Sequence, residues 1–170
     1  GLRIGGMNRR VGDDLERVSV LIVTSNFFDA LGVRAGLGRT FTSDETAAEL
    51  RPRLVVLDHP YWKARFGGDP GVVGQTMTLD GEPFEIIGVL PESYRSVTGF
   101  MTPGAYVPVS ALTLATLNDR GSPTLSLLAR LPAGRTPEWA QAAATSVGAR
   151  VERDSPEMNA GLRRPAQVFA

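Results

Sequence analysis

The chain has 170 residues, enough to build one compact core or two small lobes but not two full-sized domains. Its 18 basic and 18 acidic residues cancel without a long run of one sign, which removes the electrostatic footprint expected of a nucleic-acid binder. Cysteine is absent and His59 is the single histidine, so disulfides, thiolate chemistry and zinc sites lack their ligands, and no metal or other cofactor is expected. No stretch approaches the ~20 consecutive apolar residues of a spanning helix, and "GLRIGGMNRR" has no apolar signal core, so the segment reads as soluble, mature or excised.

In chain order, "LERVSVLIVT" (15–24) is rich in β-branched residues and follows the turn-forming "GDD" (12–14), so it reads as a strand, with "LRIGGM" pairing upstream as a hairpin. Ser25 is placed to cap a helix of one to two turns through Leu31. Gly32 suits the left-handed residue that closes it, and Val33 then packs back on Phe28. Thr42 and Glu45 in "TSDE" have the spacing of a capping box, and Arg51-Pro52 stops the helix that follows. "LVVLD" (54–58) reads as a buried strand feeding the helix "HPYWKARF" (59–66), whose Pro60 suits a first turn.

"GGDPGVVGQ" breaks that helix. The runs "TMTL" and "EPFEIIGVL" then flank Asp80-Gly81, a pair that favours a primed two-residue turn and hence a hairpin. "AYVPVSAL" (105–112) reads as a crossing extended segment with proline at an edge-compatible place, followed by the polar loop "NDRGSPT". From Leu125, "LSLLARL" reads as a strand, "PAG" as a turn, and "TPEWAQAAATSVGARVERD" as a helix capped by Thr136 with Pro137 at its first position. Trp139, Ala143, Val147 and Val151 recur every four residues as its expected buried stripe, and "RRPAQVFA" looks like an incoming strand.

Three stretches invite chemical readings. The first is "VTSNFFDALGVRAGLGRTFTSDE" (23–45), whose Gly32, Gly36 and Gly38 suggest a phosphate cradle. Such a loop needs glycines directly after a strand and a Lys-Ser or Lys-Thr opening a helix, whereas these glycines follow a helix and "GRT" replaces the lysine motif. They read as bends, and Arg39 as a holder of a loop carbonyl or an acidic neighbour. The second is Asp58-His59 at a strand end, which resembles a base with an orienting carboxylate. Adjacent residues of an extended chain point opposite ways, so capping of the helix at Pro60 is preferred to catalysis. The third is the acidic group Asp13, Asp14 and Glu16, which lacks the alternating ligands of a calcium loop and reads as a solvated turn. Tyr61, Trp62 and Phe66 share one short helix and are assigned to the core, as is Trp139. No G-x-S-x-G occurs.

The ordered set "SNFFDALGV", "GLGRTF", "VVLDHPYWKARFGGDPGVVGQTMTLDGEPFEIIGVLP", "YVPVS" and "LLARLPAGRTPEWAQA" resembles the extracytoplasmic core domain of MacB-like ABC transporter permeases, from about Val18 to Val151. It looks closest to the duplicated orphan-permease branch. The resemblance implies an α+β, two-lobed fold: residues 1–116 mainly a strand-rich inserted lobe, and 117–170 a return to a porter-like lobe of βα units. It implies a non-enzymatic domain between the first and second membrane helices of a permease, on the outer side of the cytoplasmic membrane, excised from a larger domain that extends both ways. The partners it implies are a cytoplasmic ABC ATPase reached through the rest of the permease, a second permease copy, and a periplasmic adaptor. The competing reading is a small hydrolase or ligand-binding fragment centred on Asp58, His59 and Arg39.

Overall fold

The computed structural model describes residues 1–42, 45, 53–99, 101–111 and 126–154. Strands β1 (Leu2–Val11) and β2 (Asp14–Val23) pair antiparallel in unbroken register, from Leu2 opposite Val23 to Val11 opposite Asp14. The inward half of β2 is the β-branched run after Arg17, and Val20, Leu21 and Val23 are fully buried. Helix α1 (Phe27–Leu31) follows. Its cap position is held by Asn26, not Ser25, and no side chain caps it, because the Asn26 side-chain oxygen is taken by the Thr24 hydroxyl at 2.8 Å. The Phe27 amide turns instead to the Thr24 carbonyl. The other end is as the sequence implies: Gly32 is left-handed, and the Val33 amide donates to the Phe28 carbonyl at 2.9 Å.

After the two-residue β3 (Leu37–Gly38) come β4 (Leu54–Leu57), helix α2 (His59–Phe66), β5 (Thr76–Leu79), β6 (Glu82–Val89) and β7 (Ala105–Pro108). Of the expected capping box, the Glu45 carboxylate accepts from the Thr42 amide at 2.9 Å, while the helix expected after it lies outside the described residues. Asp80 and Gly81 both have positive φ, 48° and 83°, so the β5–β6 hairpin closes through the primed turn.

The strands run β3-β6-β4-β7-β2-β1-β5, and β5 also pairs with β6, so six of them return on themselves in a closed circuit. The contact that closes it is narrow, with Arg9 opposite Leu79. Beside it Asn8 and Asp80 exchange three hydrogen bonds of 2.8–3.0 Å. Strand β7, expected to be a crossing piece at an edge, is instead interior: it lies parallel to β2 and antiparallel to β4, and all four of its residues are buried. Pro108 is tolerated because it ends the strand, where its missing amide breaks no further ladder bond.

Alternate residues of β4 serve two faces. Val55 and Leu57 join Val18, Val20, Ile86 and Val107, against which Tyr61, Trp62 and Phe66 of α2 pack half-buried. Leu54 and Val56 face Leu21, Val23, Phe27, Phe28, Phe41 and Tyr106. A strand buried on both faces must read as one apolar run, as "LVVL" does. Each such side chain contributes roughly 1.5–3 kcal/mol. Helix α2 is also tied to the hairpin, since Glu16 accepts from Arg65 at 2.7 Å and meets Arg9 at 3.4 Å, and Arg9 lies 4.4 Å from the Phe66 ring centre.

These strands and helices fall in one compact unit, Gly1–Leu114 with Leu125–Leu128. Among the described residues a single bridge, Leu2 with Ser126, represents the strand expected at 125–131, and Leu127 is 90% exposed. One pair of backbone bonds to β1 leaves Leu127 and Leu128 without a sheet to enter. The second unit, Ala115–Thr124 with Ala129–Ala170, contains helix α3 (Pro137–Asp154). The Thr136 hydroxyl accepts from the Trp139 amide, as its capping role requires. The expected buried stripe is exposed: Trp139 is 43% and Val147 52% accessible, and Ala143 is exposed too. Arg135 lies over the Trp139 ring, and α3 is the one helix among this unit's described residues. The polar loop at 118–124, Val151's side chain and the terminal "RRPAQVFA" lie outside what is described.

Candidate functional site

The glycine-rich stretch resolves into a close approach of two backbones. A Cβ on Gly38, which has φ 68°, would collide with the Ile87 carbonyl oxygen and sit 3.0 Å from Gly88 Cα. A Cβ on Gly88 would strike the Arg39 backbone. The pair lets β3 lie on β6, with Leu37 opposite Val89 and Gly38 opposite Gly88. Arg39 then turns to Glu45, with bonds of 2.6 and 2.9 Å, and to the Thr40 carbonyl at 3.2 Å. Hydrogen bonding to Glu45 raises the Arg39 pKa. Burial works against the Glu45 charge, but Arg39 and the Thr42 amide hold its carboxyl below the usual range.

Asp58 and His59 behave differently from the expectation for neighbours in an extended chain. The strand stops at Leu57 and α2 starts at His59, so the backbone turns between them and both side chains line one hollow of about 340 Å³. Asp58 occupies the cap position of α2, yet its carboxyl makes no capping bond. It is 5% exposed, and burial pushes its pKa up to about 6, against the opposing pull of Arg95 and the His59 backbone amide. The rest of the wall comes from the long connection between β6 and β7: Glu92, Tyr94, Arg95, Ser96 and Thr102.

That connection is held by its own polar groups. Arg95 donates to the carbonyls of Glu92 and Tyr94 at 2.8 and 2.9 Å, Thr98 to the Met101 carbonyl at 2.7 Å, and the Ser96 and Thr98 hydroxyls are 2.9 Å apart. Behind the wall, the hydroxyls of Tyr94 and Tyr106 are buried close to each other, and burial raises both phenol pKa values.

Of the three residues proposed as a hydrolytic centre, the structure brings two together and leaves out the third. Asp58 and His59 share the hollow, whereas Arg39 does not line it and spends its guanidinium on Glu45. His59 stacks edgewise on Trp62 at 5.3 Å. What the site offers is a buried carboxyl of raised pKa beside a guanidinium, an arrangement suited to holding a charged group or taking up a proton. Sequence reasoning overlooked Tyr94, Arg95 and Ser96. The signal was the length of the polar stretch between two buried strands, since long connections often carry function. Among the described residues no group of side chains could hold a metal ion, and no helix is long and apolar enough to cross a membrane.

No curated protein matches the chain in sequence. Among solved structures it is similar to the periplasmic region of MacB from Actinobacillus actinomycetemcomitans, with a TM-score of 0.63 and 20% identity over 89% of this chain; it spans 65% of that region's length. It is also similar to the extracellular domain of the noncanonic ABC-type transporter YknZ from Gram-positive bacteria, with a TM-score of 0.64 and 16% identity over 99% of this chain and 79% of that one. At such identities the likeness shows a shared α+β fold. The family model for the MacB-like periplasmic core domain matches residues 3–147, nearly the whole described chain, and the protein therefore belongs to the MacB-like periplasmic core domain family.

Proposed function

We propose that this chain is the extracytoplasmic domain of an ABC transporter permease, and that it transmits conformational change between membrane helices and a partner surface without catalysing a reaction. The family match over residues 3–147 carries the proposal. The construction of the first unit supports it: a circuit of paired strands with apolar clusters on both faces resists shear, which a lever passing on displacement needs. In this role the domain stands on the outer side of the cytoplasmic membrane, and a cytoplasmic ATPase acts on it through the rest of the permease. A second permease copy and a periplasmic adaptor are its proposed partners. Residues 1–116 correspond to the inserted strand-rich lobe and 117–170 to the porter-like lobe.

These 170 residues contain no cysteine, so once any cysteines elsewhere in the permease are replaced, introduced labels report only the chosen sites. In the full permease with its ATPase in nanodiscs, spin labels are placed on Asp13→Cys at the β1–β2 turn and Ala64→Cys on α2. The distance between these two sites is expected to stay constant between nucleotide-free and ATP-bound states, while the distance between Asp13→Cys and its counterpart in the second copy changes. No ATP-dependent change between copies removes the transmitting role, and a change within the unit removes its rigidity.

A further inference from the structure

The β1–β2 hairpin carries a face that the described core does not use. Residues opposite one another in an antiparallel pair share a face, so Ile4 with Leu21, Gly6 with Ser19, Asn8 with Arg17 and Arg10 with Leu15 line one side. That side is buried at Leu21, in the cluster of Phe27 and Phe28, and emerges bare beyond it. Ile4 is 43% and Leu15 66% exposed, and Arg10, Arg17 and Ser19 are exposed too. The acidic residues of the two strands, Asp14 and Glu16, lie on the other side, where Glu16 answers Arg9 and Arg65. Among the described residues neither Arg10 nor Arg17 forms an ion pair or a hydrogen bond. The Arg17 guanidinium instead lies across Gly6, where a Cβ would meet its Nη2 at 2.8 Å. The carboxylate at the margin, Asp80, is spent on the backbone and side-chain amides of Asn8.

We propose that this face docks an acidic amphipathic helix of a partner protein, with two carboxylates one turn apart pairing with Arg10 and Arg17 and an apolar residue seated against Leu15. Shape, charge and size select that occupant. A strand adds at a sheet edge, whereas a sheet face is covered by a helix or a second sheet. Arg10 and Arg17 are diagonal neighbours, so their backbones stand roughly 7–8 Å apart, and their long side chains reach carboxylates ~6 Å apart on one helix face. The bare stretch from Ile4 to Arg10 is roughly 20 Å long at about 3.4 Å per residue, the length of a helix of about 14 residues. Two strands wide, it offers roughly 200 Å², far below the ~800 Å² per partner of a stable protein pair, so a second copy is a poor match. The inference rests on the hairpin alone and not on the transport role.

The test titrates the 170-residue chain, followed by its amide resonances, with an alanine-based peptide that carries leucine and glutamate on one face at one-turn spacing. At about 20 residues the peptide is long enough to be helical. Its twin has lysine in place of each glutamate. Saturable shifts are expected at Gly6, Arg10, Leu15 and Arg17 with the glutamate peptide, weakening as salt is raised, and binding of the lysine twin is expected to be weaker by about tenfold or more. The double variant Arg10→Glu with Arg17→Glu should reverse that preference, and because both side chains are exposed the rest of the spectrum should be preserved. Leu15→Ser should weaken binding of the glutamate peptide several-fold. Equal binding of the two peptides, an unchanged preference in the charge-swapped chain, or no saturable shift on the hairpin would each overturn the assignment. A dimer of the unmodified chain in sedimentation that the charge swap dissolves would overturn it in favour of a second copy.

Discussion

Replacing Asp58 by asparagine should make the protein more stable at neutral pH, and the gain should disappear in acid. The ordinary carboxyl pKa of 3.8 is pushed up to about 6 in the fold, chiefly by burial. The folded state therefore holds the proton more tightly than the unfolded chain. Its stability is greatest below pH 3.8 and is lost as the pH rises through about 6. At roughly 1.4 kcal/mol per pH unit, the gap is worth about 3 kcal/mol at pH 7. Asparagine has the same shape and no charge to desolvate, so its stability curve lacks that loss. The assay is urea unfolding at steps from pH 3.5 to 7.5, read by Trp62 fluorescence with Trp139→Phe in both proteins. Subtracting the two curves cancels every other titrating group. The difference should grow by about 3 kcal/mol across the window. A difference that stays flat with pH would refute the claim that a carboxyl whose pKa is raised by burial sits at the end of β4.

Two further comparisons test the packing. Gly12 and Gly38 have similar positive φ, 61° and 68°, but a Cβ meets nothing within 4 Å at the first and backbone at the second. Gly12→Ala should cost about 1–2 kcal/mol from backbone strain alone, and Gly38→Ala a further 1–3 kcal/mol, roughly, from the clash with β6; equal costs in urea titrations would mean that β3 can move aside freely. Phe28→Ala, at a fully buried position in contact with the Phe27, Phe41 and Tyr106 rings, should cost about 3–5 kcal/mol, whereas Trp139→Ala on the open face of α3 should stay within about 0.5 kcal/mol, as calorimetry can establish.

Local chemistry made much of the fold readable. Asp80-Gly81 named its turn because two consecutive positive φ angles exclude most residue pairs, and Gly32 named the end of α1 for the same reason. The role of β7 was not readable: "AYVP" carries no mark of which strands it joins, and its burial comes from β2 and β4, whose sequences lie far away. The stripe on α3 was read correctly as a period and wrongly as buried, since a period says which face is apolar and not whether anything covers it. Arg39's bond to an acidic neighbour followed from its surroundings, but the hollow beside Asp58 depends on a loop whose contributors, Tyr94 and Arg95, reach it only once the chain has crossed from β6 to β7.

The position of β7 sets a condition on biosynthesis. Its neighbours β2 and β4 are made long before it, and each presents an open row of amides and carbonyls toward the gap that residues 105–108 will fill. The two hairpins need only neighbouring segments to form, but the circuit cannot be completed until residues 105–108 are in place. A nascent chain stalled before Ala105 therefore carries two unsatisfied strand edges side by side, a hazard for pairing with other chains that ends only when the last strand is inserted.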